Sequence, residues 1–218
     1  MQAVIFDLDG TLLDSAPDIA ASADAAFAPE GGRALTLAET RRFVGRGARA
    51  FLADAVEAVG LGGDEARFAR IHDRFHAAYA GAVARSAFYP GVVAALDHLA
   101  AAGHPVGLCT NKPMRAVETV IAHFDLARRM GAVVGGDTLA VSKPDPAPLH
   151  ETMRRLGVST CLYVGDSETD AETAARAGVP FLLFTGGYRN GPAAEIVADV
   201  RFDAWAEVPD HVARMSGS

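Results

Sequence analysis

The sequence predicts an α/β fold: a doubly wound, Rossmann-like parallel-sheet core with an inserted helical cap domain. Three observations carry that expectation. The apolar run Ala3-Val4-Ile5-Phe6 stops abruptly in Asp7-Leu8-Asp9-Gly10, so a buried strand ends in two carboxylates and a turn. From Pro90 onward short apolar strands alternate with helical stretches, the pattern of a parallel sheet covered by helices on both faces. Between these regions the chain reads as helix throughout, whereas a simple crossover needs only about a dozen residues. The expected division is a core of residues 1–14 and 88–218 and a cap of residues 15–87.

Within the cap, Ser15 followed by Pro17 and Asp18 resembles a helix start. Thr36 with Glu39 forms a capping-box pattern, and Asp64-Glu65 opens an amphipathic stretch that runs to Tyr79. Past Pro90 the spacing predicts helices over 91–102, 115–123, 146–156 and 169–177, three of them closed by Gly103, Gly157 and Gly178. The intervening strands fall over 106–109, 132–134, 161–164 and 181–184. Val200, Phe202 and Trp205 are expected to finish the sheet or pack its last helix. Cys109 and Cys161 each lie in an apolar, strand-like run without CxxC spacing, which predicts buried reduced thiols rather than a disulfide.

Composition limits what such a fold could do. Half of the 218 residues are hydrophobic, enough for a full core. A net charge of -7 and a pI near 5.4 argue against a general nucleic-acid binder, which needs a basic face to neutralise phosphates. A small phosphorylated ligand stays open where a metal and a few local cations override the overall field. With no signal-like segment and no run of membrane-spanning length, the protein is expected to be soluble and cytoplasmic, without a membrane partner. The 20 basic residues include only two lysines, Lys112 and Lys143. Both sit inside candidate site motifs, where a compact point charge suits a phosphoryl group.

Four strand ends carry polar groups, and the carboxyl ends of parallel strands open onto one edge. Asp7 and Asp9 come first; alternation along an extended segment starts them on one side, able to share a cation or to divide labour as nucleophile and acid. The second end is Thr110-Asn111-Lys112-Pro113, where the Thr110 hydroxyl and the Asn111 N–H would suit a phosphate oxygen. Ser142-Lys143-Pro144-Asp145-Pro146 fixes one cation just before a helix. Gly165-Asp166-Ser167-Glu168-Thr169-Asp170 places further carboxylates, Asp166 and Asp170, at a strand-to-helix turn. Oxygen ligands without His or Cys among them fit Mg²⁺ better than zinc.

These motifs, in this order and over nearly the whole chain, resemble the signature of the haloacid dehalogenase-like superfamily. The resemblance implies that Asp7 is a nucleophile forming an aspartyl-phosphate and that Asp9 is the general acid and then the base. It implies that Thr110 and the Asn111 amide hold the phosphoryl oxygens and that Lys143 neutralises charge. Asp166 would ligate Mg²⁺ with Asp7 and the Asp9 carbonyl, and Asp170 would be a metal-site or supporting carboxylate. The dehalogenase branch lacks an acid at the Asp9 position, so this chain reads as a phosphohydrolase or phosphotransferase.

Finer resemblance, in Asp7 through Ser15, Thr110 through Pro113, Gly135-Gly136-Asp137 before Ser142, and Gly165 through Asp170, points to the phosphoglycolate phosphatase group. It implies a Mg²⁺-dependent phosphomonoesterase acting on 2-phosphoglycolate. The alternatives are action on sugar phosphates, nucleotides or pyrophosphate, a phosphomutase, or a non-catalytic phosphoryl-binding module. In the cap, the segment 41–49 offers Arg46 and Arg49, either of which could pair with a second anionic group such as a carboxylate or simply end a solvated basic helix. Lys112 could reach the substrate across the cap interface or stabilise its own loop. His72 and His76 stand at i,i+4 with no third ligand nearby. Closure of the cap would use a two-stranded hinge near residues 14–16 and 87–89. The oligomeric state is not legible.

Overall fold

In the computed structural model, which describes residues 2–217, the first strand β1 (Ala3–Phe6) is fully buried. The chain then makes one tight turn, in which the Leu12 and Leu13 N–H groups both donate to the Leu8 carbonyl at 3.0 Å. It emerges as β2 (Leu13–Asp14). Four helices follow: α1 (Ala16–Phe27), α2 (Leu37–Phe43), α3 (Ala48–Ala58) and α4 (Glu65–Tyr79). The chain returns through β3 (Ala87–Phe88), antiparallel to β2, so a two-stranded ribbon joins the helical excursion to the sheet. The capping box expected at Thr36 and Glu39 is present, and the Asp64 side chain caps α4. Ser15 stands at the start of α1 but does not cap it; its hydroxyl donates to Asp9 instead, at 2.6 Å.

The remainder alternates as expected: α5 (Val92–Ala101), β4 (Val106–Cys109), α6 (Met114–His123), β5 (Ala132–Val134), α7 (Ala147–Leu156), β6 (Cys161–Gly165), α8 (Glu168–Ala177), β7 (Phe181–Phe184), β8 (Val200–Phe202) and α9 (Val208–Ser216). Two boundaries differ in an instructive way. β6 runs one residue further, to Gly165. α8 begins at Glu168 because Ser167 and Asp170 form a second capping box. That early start matters later, because it fixes the Asp170 side chain beneath the end of β6.

The strands lie in the order β5-β4-β1-β6-β7-β8, all parallel. β1 is therefore the switch point, with the chain first building outward through β4 and β5 and later through β6, β7 and β8. Alternate residues of β1 enter opposite cores. Val4 and Phe6 pack with Leu96, Val117, Val208 and Trp205, whereas Ala3 and Ile5 pack with Leu149, Tyr163 and Leu183. Cys109 and Cys161 are buried and unpaired, and burial pushes both thiols up to about 12. The excursion has its own apolar core, including Phe27, Leu52, Ile71 and Phe75, which also takes in Ala116 of α6. Among the described residues no helix is long and apolar enough to cross a membrane.

Trp205 closes the first core, 1% exposed, with ring centroids 5.5–5.9 Å from Phe6, Phe184 and Phe202. Trp205→Ala is expected to cost about 3–5 kcal/mol of stability through lost burial and a residual cavity. Urea unfolding followed by circular dichroism, which does not rely on the single tryptophan, checks this; a loss below about 1 kcal/mol would show that the aromatic cluster does not brace the sheet.

Candidate active site

The switch-point topology sets the carboxyl end of β1 between those of β4 and β6, so Asp7, Thr110 and Asp166 meet although they are far apart in sequence. Lys143 reaches the same place from the loop before α7. Its Nζ lies 2.9 Å from Asp7 Oδ1, donates to Asp170 Oδ1 at 2.6 Å, and donates to the Tyr163 hydroxyl at 2.8 Å. Every one of these groups is buried. The ion pairs raise the lysine's pKa despite its burial, so it stays charged.

Asp7, Asp166 and Asp170 each offer a carboxylate oxygen within 4.8 Å of the others. Three buried acids therefore cluster, and Lys143 pairs with two of them. Burial, helped by the charge of Asp170, pushes the Asp166 carboxyl well up, and burial raises Asp7 to about 6 against the pull of Lys143. Asp7 Oδ1 has no well-aligned hydrogen bond. A buried, under-neutralised set of oxygen donors with an unsatisfied carboxylate atom fits a hard divalent cation.

Asp170 is the most committed of the three. Its Oδ1 accepts from Lys143 and from the Tyr163 hydroxyl at 2.9 Å; its Oδ2 accepts from the Ser167 hydroxyl and from the N–H groups of Asp166 and Ser167. Burial alone would raise its pKa, but the Lys143 charge and these bonds hold it down. Asp166 is held by the Thr11 hydroxyl at 2.6 Å and by the Tyr188 N–H. Gly10 makes room for it. At φ +89 its backbone is in the left-handed region, and a Cβ there would sit 2.4 Å from Asp166 Oδ2.

Asp9 faces a different set of neighbours from Asp7. Its carboxylate accepts from Lys112 Nζ at 3.1 and 3.3 Å, from the Ser15 hydroxyl, and from the Tyr79 hydroxyl at 3.4 Å. The two acids border one cavity, but the Asp9 carboxylate is not in the cluster that could share a cation. Of the two possibilities open in the sequence, this arrangement is suited to divided labour.

Thr110 accepts the Lys112 N–H at 3.2 Å, which leaves its hydroxyl proton free to donate into the cavity. The Asn111 side chain works as a staple. Its Nδ2 donates to the carbonyls of Gly45 and Lys143, both at 3.0 Å, and its Oδ1 accepts the Lys143 N–H. The Asn111 backbone N–H has no acceptor among the described residues.

Arg46 and Arg49 are not brought to this cavity. Arg46 pairs with Asp54 of α3, and Arg49 lies over the Phe68 ring, 5.4 Å from its centroid. Both border an adjoining groove instead. A chain segment rich in Gly and Arg shows that backbone can approach a ligand, but the direction of each arginine depends on which acid or ring the cap places beside it. The rings of His72 and His76 lie 4.4 Å apart, tilted by 50°, and recruit no third ligand among the described residues.

Sequence reasoning missed Thr11, Tyr79, Tyr163 and Tyr188. Thr11 lies inside the first motif, where its hydroxyl was a readable signal. Tyr79 belongs to the apolar stripe of α4 and packs on Phe75; nothing in that stripe reveals that its hydroxyl emerges beside Asp9. Tyr188 joins Asp166 to the ribbon, its hydroxyl accepting the Ala16 N–H at 2.9 Å and bonding to Asp14.

The family model of haloacid dehalogenase-like hydrolases matches residues 1–178. The chain belongs to that family. This hydrolase is 45% identical over 216 residues to a protein of Cereibacter sphaeroides named phosphoglycolate phosphatase, covering 99% of each chain. It is 43% identical to one of the same name from Rhodospirillum rubrum, covering 96% of this chain and 90% of that one. A crystal structure described as a predicted phosphoglycolate phosphatase from Haemophilus somnus superposes with a TM-score of 0.91 at 29% identity, over 97% of this chain and 98% of the other.

The charge balance around Lys143 gives a test. Asp170→Asn keeps the shape of the side chain but leaves Lys143 with Asp7 alone, and is expected to lower stability by about 3 kcal/mol at neutral pH. Equilibrium unfolding in urea measures it. An unchanged midpoint would mean that Asp170 does not balance the buried lysine.

Proposed function

We propose that this hydrolase is a cytoplasmic, Mg²⁺-dependent phosphatase that acts on a small phosphorylated metabolite, 2-phosphoglycolate, through an aspartyl-phosphate on Asp7. The observation that carries this reading is the separation of the two acids: Asp7 lies among buried carboxylates and Lys143, Asp9 beside Lys112 and Tyr79, and both border one cavity. The names of the relatives supply the substrate.

Asp7 and Asp166 would hold the metal, with Asp170 in reach but already engaged by Lys143 and the Ser167 turn. The ion would supply charge neutralisation of the phosphoryl group. Lys143 lowers the repulsion between Asp7 and a dianionic phosphate. The Thr110 hydroxyl and the Asn111 N–H orient the phosphoryl oxygens. An Asp7 oxygen attacks phosphorus, and the bond to the ester oxygen breaks. The leaving oxygen takes the electron pair of that bond and a proton from Asp9, giving glycolate. Asp9 then accepts a proton from water as the water oxygen attacks the aspartyl-phosphate, which releases phosphate and restores Asp7.

The lining of the cavity favours a short substrate over a sugar phosphate. Its cap wall is largely apolar, with Ile19, Val44, Ala48, Phe51 and Phe75. A hexose would bring hydroxyls that such a wall leaves without partners.

Phosphate release from 2-phosphoglycolate is expected with Mg²⁺ and absent with chelator, and sugar phosphates, nucleotides and pyrophosphate should be turned over far more slowly. Selectivity for another member of that panel would reassign the substrate while leaving the chemistry. Asp7→Asn is expected to lower kcat by about 10⁴-fold or more with the fold intact by circular dichroism; near-normal turnover by the purified variant would remove Asp7 as nucleophile.

A further inference from the structure

A two-carbon phosphoester with a carboxylate at its far end needs a second cationic contact, and the sequence offered Arg46 and Arg49 for it. The structure turns both toward other partners. Among the described residues that border the Asp7 cavity, Lys112 is the one cationic side chain. Its side chain is 1% exposed, and the cap residues that line the same cavity are mostly apolar. Burying an ammonium there is costly unless it is paired.

Each donor of the ammonium has an acceptor: Nζ donates to the Tyr79 hydroxyl at 2.6 Å and to the two oxygens of Asp9 at 3.1 and 3.3 Å. The two longer contacts go to one carboxylate, so one of them can pass to a second carboxylate while the other keeps Asp9. The Tyr79 ring lies beneath it, with Nζ 4.2 Å from the centroid, which fixes the ammonium without satisfying a hydrogen bond. The leaving oxygen of a phosphoester on Asp7 must lie next to Asp9, and the group attached to that oxygen extends past Asp9. The cation beside Asp9 is Lys112 Nζ, at 3.1 Å.

We propose that Lys112, held in place by Tyr79, is the residue that reads the substrate's carboxylate and sets selectivity for phosphorylated short hydroxy acids over neutral phosphoesters of the same length. This rests on the phosphatase reading above. Tyr79 is a positioning residue: it belongs to α4 of the cap, so selectivity is assembled from a core lysine and a cap tyrosine across the interface. Asp9 keeps one side of the ammonium, which aligns the acid and the carboxylate reader along a single substrate.

The experiment compares 2-phosphoglycolate with ethyl phosphate, which has the same length but no carboxylate, in wild-type enzyme with Mg²⁺. The readout is the ratio of the two kcat/KM values, whatever happens to each absolute rate. Lys112→Met is expected to lower that ratio by about 10- to 100-fold, the worth of a charged hydrogen bond, with the loss on phosphoglycolate appearing largely in KM. Tyr79→Phe, which keeps the charge and the ring but frees the ammonium, should lower it by several-fold. Arg46→Ala and Arg49→Ala should leave it unchanged. If Lys112→Met slows both substrates equally, Lys112 serves only to hold Asp9 and the proposal falls. A drop in the ratio for Arg46→Ala or Arg49→Ala, with none for Lys112→Met, would move the carboxylate contact to the arginines. If the Lys112 variant fails to fold by circular dichroism, Tyr79→Phe decides, and an unchanged ratio there overturns the assignment. Wild-type enzyme that hydrolyses ethyl phosphate but not phosphoglycolate refutes the inference and the substrate while sparing the chemistry, whereas silence on both esters refutes the phosphatase reading itself.

Discussion

Lys143 and the cluster of three buried carboxylates, two of which it pairs with, are the constraint on which the rest of the molecule depends. A buried ammonium must be paired, and buried carboxylates must be neutralised or protonated. The chain meets both needs by bringing β1, β6 and the loop before α7 to one point. The start of α8 follows from the same need, since the Ser167–Asp170 capping box aims one oxygen of Asp170 at its own helix and leaves the other for Lys143. Gly10 and Gly165 belong to this arrangement too. A Cβ at Gly165 would lie 2.5 Å from Asp170 Cβ, so the strand end can pass that side chain only as glycine.

A second interaction couples the cap to this centre. The cap is attached by a ribbon of two residues per strand, and two short strands alone hold little. Polar contacts across the interface therefore set how the cap sits: the Asn111 amide on Gly45, the Thr119 hydroxyl on Ala80, and Tyr79 on Lys112 and Asp9. Of these, only the Tyr79 contact reaches an acid that borders the cavity. The apolar cap core extends to Ala116 on α6, so burial and polar contacts act on the same face. Tyr188 performs a comparable service on the other side, tying the loop that holds Asp166 to Asp14 and Ala16 at the ribbon.

The strands at 106–109, 132–134 and 181–184 were read to the residue because each is a short, largely buried apolar run bounded by turn-forming residues. Thr36 with Glu39 was legible because a capping box is a local interaction across three residues. The start of α8 was placed one residue late because the equivalent pair, Ser167 with Asp170, lay within a motif read for chemistry rather than for capping. The clustering of Asp7, Thr110, Lys143, Asp166 and Asp170 was legible in outline, since parallel strands deliver their carboxyl ends to one edge.

What the sequence determined by itself was the periodicity, and with it the α/β class, the carboxyl-terminal edge and the residue types gathered there. Side-chain periods of about two and about 3.6 residues are properties of the local chain. Which neighbour each charged group takes was decided only by the tertiary structure. Arg46 and Arg49 turn to Asp54 and Phe68, Asp9 parts from Asp7, and Lys112 meets a tyrosine 33 positions away. The reason is physical. A charged side chain is long and rotatable, its energy in a buried place depends on partners from other elements, and no spacing along the chain records how the cap packs against the sheet.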